Sequence, residues 1–309
     1  MRNAMRAADL ARLIALAAIW GASFLFARIA VPALGAAWLT EVRVALAGIV
    51  MTSYAIAMGI RLEPGRNWRH YLFMGVLNTA LPWAMYAYAA NYINASYLGI
   101  LNATTPWFGA LAGTLWLGER FSLRKGAGLA IGVVGVALVV GFGPVEVNTN
   151  VVLASLACIG SAAAYALGGT YMKLRARHVP ALGMTAGSLI VATVALVPAL
   201  PGPLPVHMLL DWKVATAVLG LALVCSAAAY VLYFRLLVDI GPTRSLTVAF
   251  LIPVFATLWG AVFLGEPVGL STVIGGAVIL LATALVLELG ASPAAGLQGK
   301  ISASPTPEP

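Results

Sequence analysis

Residues Ala95–Arg120 read ASYLGILNATTPWFGALAGTLWLGER, an apolar run with a proline near its middle and a Gly-Glu pair towards its end. Shifted by 147 positions, the run returns over Thr243–Pro267 as TRSLTVAFLIPVFATLWGAVFLGEP. Pro106 falls on Pro253, Phe108 on Phe255, Leu111 on Leu258, Gly113 on Gly260, and Leu117-Gly118-Glu119 on Leu264-Gly265-Glu266. The register continues through Leu123/Leu270, Gly128/Gly275 and Ala130/Ala277 to Ala137-Leu138-Val139 on Ala284-Leu285-Val286. Shared apolar composition matches some letters by chance, but not a proline, two glycines and a glutamate in one frame. The chain is therefore read as a duplicated module.

Of the 309 residues, 61% are apolar and only 9% charged, against roughly 25% charged in a soluble domain. Apolar stretches of about 20 residues, the length a bilayer demands, recur along the whole chain. The pattern predicts an all-α integral membrane protein of ten transmembrane helices, over 10–31, 36–59, 70–90, 95–117, 123–142, 150–172, 181–200, 212–236, 243–264 and 270–289. The opening Met1–Arg12, with Arg2, Arg6 and Arg12 before an apolar run, has the look of a signal peptide. Nine further spans and the lack of a convincing cleavage site favour an uncleaved first helix. Residues 1–9 then form a cytoplasmic segment, 10–142 a first five-helix repeat and 150–289 a second. Residues 290–309, with little to bury, form a disordered cytoplasmic tail. Cys158 and Cys225 both lie in apolar segments and supply neither a disulfide framework nor a metal-ligand spacing.

The net charge of +8 reports topology rather than nucleic-acid binding. With the N-terminus inside, fifteen of the 18 Lys and Arg residues fall on the cytoplasmic side and Lys213 alone on the other, with Arg28 and Arg43 inside helices. So strong a bias sets N-in and C-in, because one missed or invented helix would flip every later loop. Five spans per repeat make the second copy inverted: Gly118-Glu119 ends a helix at the cytoplasmic face and Gly265-Glu266 at the outer face. Inverted repeats commonly hold a substrate near the midplane and alternate which side is open.

Trp20-Gly21 near the middle of the first helix, with Ser23-Phe24 and Arg28 beyond it, joins the mid-helix prolines and terminal Gly-Glu of the fourth and ninth helices. In order and spacing this resembles the EamA family of the drug/metabolite transporter superfamily, over residues 10 to 289. Within it the chain is most similar in kind to the YddG-type amino-acid exporters, which handle aromatic and other neutral amino acids. The resemblance implies ten helices in two inverted five-helix repeats, a central substrate cavity, and export or exchange of small metabolites, often amino acids, across a bacterial inner membrane. The second repeat departs from the pattern: its opening helix reads Ser161-Ala162-Ala163-Ala164-Tyr165, without the Trp-Gly.

Trp38, Trp68, Trp116 and Trp212 fall at predicted membrane interfaces, where tryptophan collects. Trp20, Trp83 and Trp107 fall near the bilayer middle, where each indole N–H needs an acceptor that lipid lacks. They either pack between helices or line a cavity. Helical spacing aligns further polar or aromatic candidates: Ser23 and Phe24 with Trp20; Asn78, Pro82 and Tyr86; Asn102 and Thr105; Ser161 and Tyr165; Ser226, Tyr230 and Tyr233. Small hydroxyls also glue helices together, at about 0.6 kcal/mol each, whereas Asn is costlier to bury. Pro82, Pro106 and Pro253 free the carbonyls of Asn78, Asn102 and Ala249, and either a cavity ligand or a neighbouring hydroxyl must serve them. Kinks there would suit helices that bend during alternating access.

Among the intramembrane charges, Arg28 can snorkel, while Glu41 meets Arg28 or Arg43 through tertiary packing, as a structural pair or as a gate or substrate-carboxylate contact. Glu119 and Glu266 take turn or cap roles. With no Asp, Glu or His at mid-helix depth, the reading favours facilitated diffusion or exchange over tight proton coupling. It also favours a neutral or zwitterionic, partly apolar substrate, since no cluster of basic residues is visible. No cofactor, metal or nucleic-acid partner is implied. The partners are a small molecule and the bilayer, with the chain a monomer or weak oligomer. A nucleotide-sugar or other metabolite carrier is the alternative within transport. A membrane enzyme needs paired carboxylates, a nucleophile–base pair or a metal site, and His178 and His207 lie on opposite faces without an obvious partner.

Overall fold

The computed structural model describes residues 6–118, 121–142, 146–241, 245 and 247–286. Met1–Met5, Glu119 and the expected tail lie outside the described residues, as do Arg120, Thr243 and Arg244. Among the described residues the chain is helical throughout, with no strand. The first element, α1 (Ala7–Ala57), has 51 residues, about 76 Å at 1.5 Å per residue and more than twice a hydrocarbon core of about 30 Å. It breaks at Gly35, whose φ of 72° and ψ of 162° suit only glycine, three residues after Pro32. The two spans expected at 10–31 and 36–59 are thus the arms of one kinked element.

The next helix starts six residues earlier than the expected 70. Pro64 at its first turn begins α2 (Pro64–Phe73), a π segment spans Met74–Ala80, and α3 (Leu81–Ala89) follows with Pro82 in its first turn. Asn94 Oδ1 accepts from the Tyr97 amide at 3.0 Å and caps α4 (Ala95–Asn102). The helix expected over 95–117 is split: α4 ends at Asn102 and α5 (Thr105–Leu117) restarts with Pro106 at its second position. Then come α6 (Leu123–Phe142), α7 (Thr149–Arg175, capped by Asn148), α8 (Ala181–Leu196) and α9 (Trp212–Leu219, capped by Asp211). A second π segment (Gly220–Ala228) leads into α10 (Ala229–Ile240), followed by α11 (Val248–Leu264) and α12 (Leu270–Val286). Among the described residues five helical stretches are long and apolar enough to cross a membrane: Ala7–Ala57, Leu123–Val140, Thr149–Arg175, Ala181–Ala199 and Trp212–Ile240.

The 147-residue spacing reappears in the geometry. The π segment Met74–Ala80 shifts onto 221–227, inside the second π segment. Gly118 and Gly265 end α5 and α11 in the same left-handed conformation, φ 69° and 63°, with amides donating to Gly113 and Gly260. The long contact between α6 and α12 is reciprocal. A Cβ on Gly128 would lie 2.8 Å from both the Ala282 carbonyl and Val286, and one on Gly275 would lie 2.6 Å from Val139 and 3.0 Å from the Gly135 carbonyl. Shifting either set gives the other, and the small residues let the two helices approach closely.

Around this pair, α1 packs against α11, α8, α3, α9 and the second π segment, while α7 packs against α3 and α5. At one end of the molecule Arg12 joins Asp9 (3.0 Å) and Asp239 (2.8 Å), fastening the start of α1 to the end of α10. The two π segments, α4–α5, α7 and both arms of α1 enclose a central space.

Candidate functional site

That space is a cavity of about 830 Å³. Trp20, Phe24, Trp83, Tyr86, Tyr165, Tyr230 and Tyr233 line it, with Ser23, Thr40, Asn78, Asn102, Thr105 and Thr170 as neutral polar groups. The rings form two groups: Trp20 with Tyr233 at 5.3 Å between centroids, and Phe24 with Tyr86 at 5.5 Å, Tyr86 in turn near-parallel to Tyr165 at 6.4 Å. Such contacts fix ring orientation at little entropic cost.

The break between α4 and α5 supplies the polar centre. Pro106 has no N–H for the Asn102 carbonyl, and the Thr105 hydroxyl donates to it at 2.8 Å. The Asn102 side chain is left to face the cavity, where its Oδ1 accepts from the Tyr86 hydroxyl at 2.9 Å. Opposite, the π geometry of the second segment carries the Ser226 hydroxyl to the Leu221 carbonyl (2.8 Å), five residues back. Ser226 Oγ accepts in turn from Arg43 Nε at 3.1 Å, and the Arg43 guanidinium lies 3.8 Å from the centroid of the Trp83 ring.

Access to the cavity is unequal. Phe24, Ala27, Leu39, Thr40, Tyr86 and Ala87 at one end are buried, whereas Gly169 and Lys173 at the other are exposed. Beyond the buried end, Arg28 Nε donates to Glu266 Oε1 at 3.0 Å and Arg28 Nη1 to the Ala90 carbonyl at 2.7 Å. Glu266 Oε2 accepts from the Ala95 amide at 2.8 Å. A carboxylate from the α11–α12 turn therefore caps α4 and holds α1 against it.

Several expectations require correction. Glu41 pairs with neither Arg28 nor Arg43: Arg28 takes Glu266, which Glu41's position on the opposite arm of α1 cannot match, and Glu41 Oε2 is buried without a partner among the described residues. Trp107 does not line the cavity. The α4–α5 break frees the Ala103 carbonyl, Thr283 donates to it at 2.9 Å, and the Trp107 indole donates to Thr283 at 3.0 Å, which draws the ring against α6 and α12. Ser161 is buried outside the cavity, donating to the Ala157 and Pro82 carbonyls at 2.9 and 3.2 Å. Of the prolines only Pro106 reaches the cavity wall. Pro82 sits at the start of α3, directly after a π segment, and Pro253 lies within an uninterrupted α11. His178 does have a neighbour, with its ring 5.2 Å from that of His70, which hydrogen-bonds Tyr171 at 2.9 Å, but this cluster is remote from the cavity.

Thr40, Lys125, Thr170, Lys173 and Cys225 line the cavity and were not foreseen. The signal for two of them was the repeat itself. Carried back into the first helix, the 147 register sets Trp20-Gly21-Ala22-Ser23-Phe24 on Leu167-Gly168-Gly169-Thr170-Tyr171 and Arg28 on Arg175. The counterpart of Trp20-Gly21 is therefore Leu167-Gly168, not the Ser161–Tyr165 stretch. Thr170 answers Ser23 across the cavity, and Cys225 answers Asn78.

Comparison with known proteins agrees with this geometry. The sequence pattern of the EamA-like transporter family matches residues 10–141 and 152–288. Among curated proteins the chain is similar to an uncharacterized transporter of Bacillus subtilis (strain 168), YvbV, 26% identical over 274 residues and 87% of each chain. It is also similar to an uncharacterized transporter of Archaeoglobus fulgidus, 28% identical over 268 residues, 85% of this chain and 91% of the relative. A solved crystal structure, 19% identical, superposes with a TM-score of 0.61 over 91% of this chain and 96% of its own, and shares the fold.

Proposed function

Since the chain belongs to the EamA-like transporter family and is a membrane transporter by that membership, we propose that it exports or exchanges small neutral or zwitterionic metabolites, amino acids foremost, across a bacterial inner membrane. The observation that carries the reading is the cavity of about 830 Å³, large enough for a small solute, walled by aromatic rings and with exposed lining residues at Gly169 and Lys173. In this reading ten spans form two inverted five-helix repeats, with both termini in the cytoplasm. The exposed Lys173 end faces the cytoplasm, the side to which the positive-inside rule assigns most basic residues. The Arg28–Glu266–Ala95 tie then closes the outer end, and the state is inward-open. Alternating access would release this tie while closing the wall around Lys173. Trp20, Ser23, Phe24, Asn78, Trp83, Tyr86, Asn102, Thr105, Tyr165, Tyr230 and Tyr233 contact the substrate. Pro106 and the π segments are where helices bend, because each lacks regular backbone pairing.

Uptake and counterflow in proteoliposomes test this, screening labelled neutral amino acids against sugars and phosphates with and without a pH gradient. Saturable amino-acid flux insensitive to the gradient is the expected result. Flux of another solute class alone would overturn the substrate and keep the carrier.

A further inference from the structure

We propose that Arg43 is the carboxylate anchor of the cavity, so that substrates are recognised by a carboxylate group on an apolar or aromatic body, with the amino group of an amino acid dispensable. This rests on the transporter reading and deepens it. The guanidinium is oriented from two sides before any ligand arrives. Its face lies 3.8 Å from the centroid of the buried Trp83 ring, and Nε donates to Ser226. Because the Ser226 proton is committed to the Leu221 carbonyl, its lone pair is fixed towards Nε. The outer edge of the fork, Nη1 and Nη2, has no hydrogen-bond partner among the described residues, and no described carboxylate pairs with it. A stacked, half-satisfied guanidinium that presents two parallel N–H donors to a cavity has the geometry of a bidentate carboxylate site. An uncompensated cation at this depth is costly to keep, which marks it as functional rather than structural.

Charge along the rest of the wall points the same way. The described residues lining the cavity include Arg43 and Lys173 but no Asp or Glu. An ammonium group in this cavity meets only the neutral oxygens of Asn78, Asn102 and the hydroxyl groups, plus ring faces. The lining therefore attracts an anion entering past Lys173 and leaves a free amine without a counter-ion. Trp20, Phe24, Tyr86 and Tyr165 remain for the body of the molecule. The basic pair that the linear sequence did not reveal is assembled from α1 and α7.

The test compares three molecules that share a phenylethyl frame: L-phenylalanine, 3-phenylpropionate and phenethylamine. Binding is read by intrinsic tryptophan fluorescence and thermal shift of the full chain in detergent, and transport by counterflow in proteoliposomes. Both acids are expected to bind, with phenethylamine weaker by about tenfold or more, the worth of one charge-assisted bidentate contact. Arg43→Gln should weaken both acids by about tenfold or more and leave phenethylamine within about twofold, with Arg43→Lys in between. Equal binding of amine and acids by the unaltered protein overturns the proposal, as does an Arg43→Gln protein that binds the acids normally. If Arg43→Gln fails to fold, the acid-versus-amine comparison on the unaltered protein decides alone. Flux of some other solute with no acid bound sinks the anchor and leaves the carrier standing. Absence of flux for every solute class sinks the transporter reading, and the anchor with it.

Discussion

The two halves of the cavity share one backbone and differ in chemistry. At positions 147 apart that both line the cavity, Ser23 faces Thr170 and Tyr86 faces Tyr233, but Asn78 corresponds to Cys225, Asn102 to Ala249 and Thr105 to Ile252. Both halves supply hydroxyls, Thr170, Tyr165, Tyr230 and Tyr233 in the second, but the two side-chain amides, Asn78 and Asn102, belong to the first alone. The backbone differs at the same place. α4 and α5 are separated by Ala103 and Thr104, whereas α11 runs unbroken from Val248 through Pro253. Duplication supplied two equivalent frames, and substitution made one of them the polar wall. A solute bound between them would sit asymmetrically, its polar groups towards α3, α4 and the second arm of α1.

The largest effect should come from the glycines that hold each half together, and it should differ between halves. A Cβ on Gly21 would lie 2.7 Å from Phe255 Cβ and 2.9 Å from the Ala256 backbone nitrogen, which cannot move aside. Gly21→Val is expected to cost more than about 3 kcal/mol and abolish monodisperse protein in size-exclusion chromatography. The three atoms nearest a Cβ on its counterpart Gly168 all belong to the Asn78 side chain. Gly168→Ala should cost about 1–3 kcal/mol, and the double variant Asn78→Ala/Gly168→Ala should recover part of that in a thermal melt, the Asn78 Cβ at 2.8 Å remaining. A failure to recover would mean that the two halves are packed alike after all.

Next is the tie at the buried end. Glu266→Ala strands Arg28 and uncaps Ala95, and since Arg28 keeps some solvent access the expected loss is about 1–3 kcal/mol. Under the alternating-access reading it should also expose a cysteine placed at Ala87 to thiol reagents added from the outside. Making the first half resemble the second is subtler. Asn102→Ala removes the acceptor of the Tyr86 hydroxyl and should weaken substrate about tenfold, or about 1.4 kcal/mol. Ala249→Asn, the reverse exchange, should change affinity by less than about threefold. Equal effects would show that the wall is not one-sided. Smallest of all, Trp107→Phe loses one hydrogen bond to Thr283. It should lower stability by about 0.5–1.5 kcal/mol with substrate affinity unchanged.

The candidates that line the cavity share a cause, and so do those that do not. Trp20, Ser23, Phe24, Trp83, Tyr86, Asn102 and Thr105 were legible because a polar or aromatic stripe at bilayer depth needs partners that lipid cannot supply. Trp107 and Ser161 satisfy the same test, yet their partners are Thr283 and the Pro82 carbonyl. Periodicity shows that a side chain leaves the lipid, but not whether protein or a cavity receives it. Lys125 and Lys173 were assigned to loops by their charge, although both line the cavity end. Glu266 was given a capping role without the helix it caps, since Ala95 lies 171 residues away.

By itself the sequence determined the membrane class, the all-helical character and the 147-residue register, because hydropathy and repeated motifs are properties of the chain read in one dimension. Only the tertiary structure decided that Arg28 meets Glu266 rather than Glu41, that α4 and α5 break to free the Ala103 carbonyl as well as that of Asn102, and that Arg43 stacks on Trp83 with its outer edge unpaired among the described residues. Those facts depend on which helices stand side by side. Neighbours hundreds of residues apart along the chain leave no periodic trace in it.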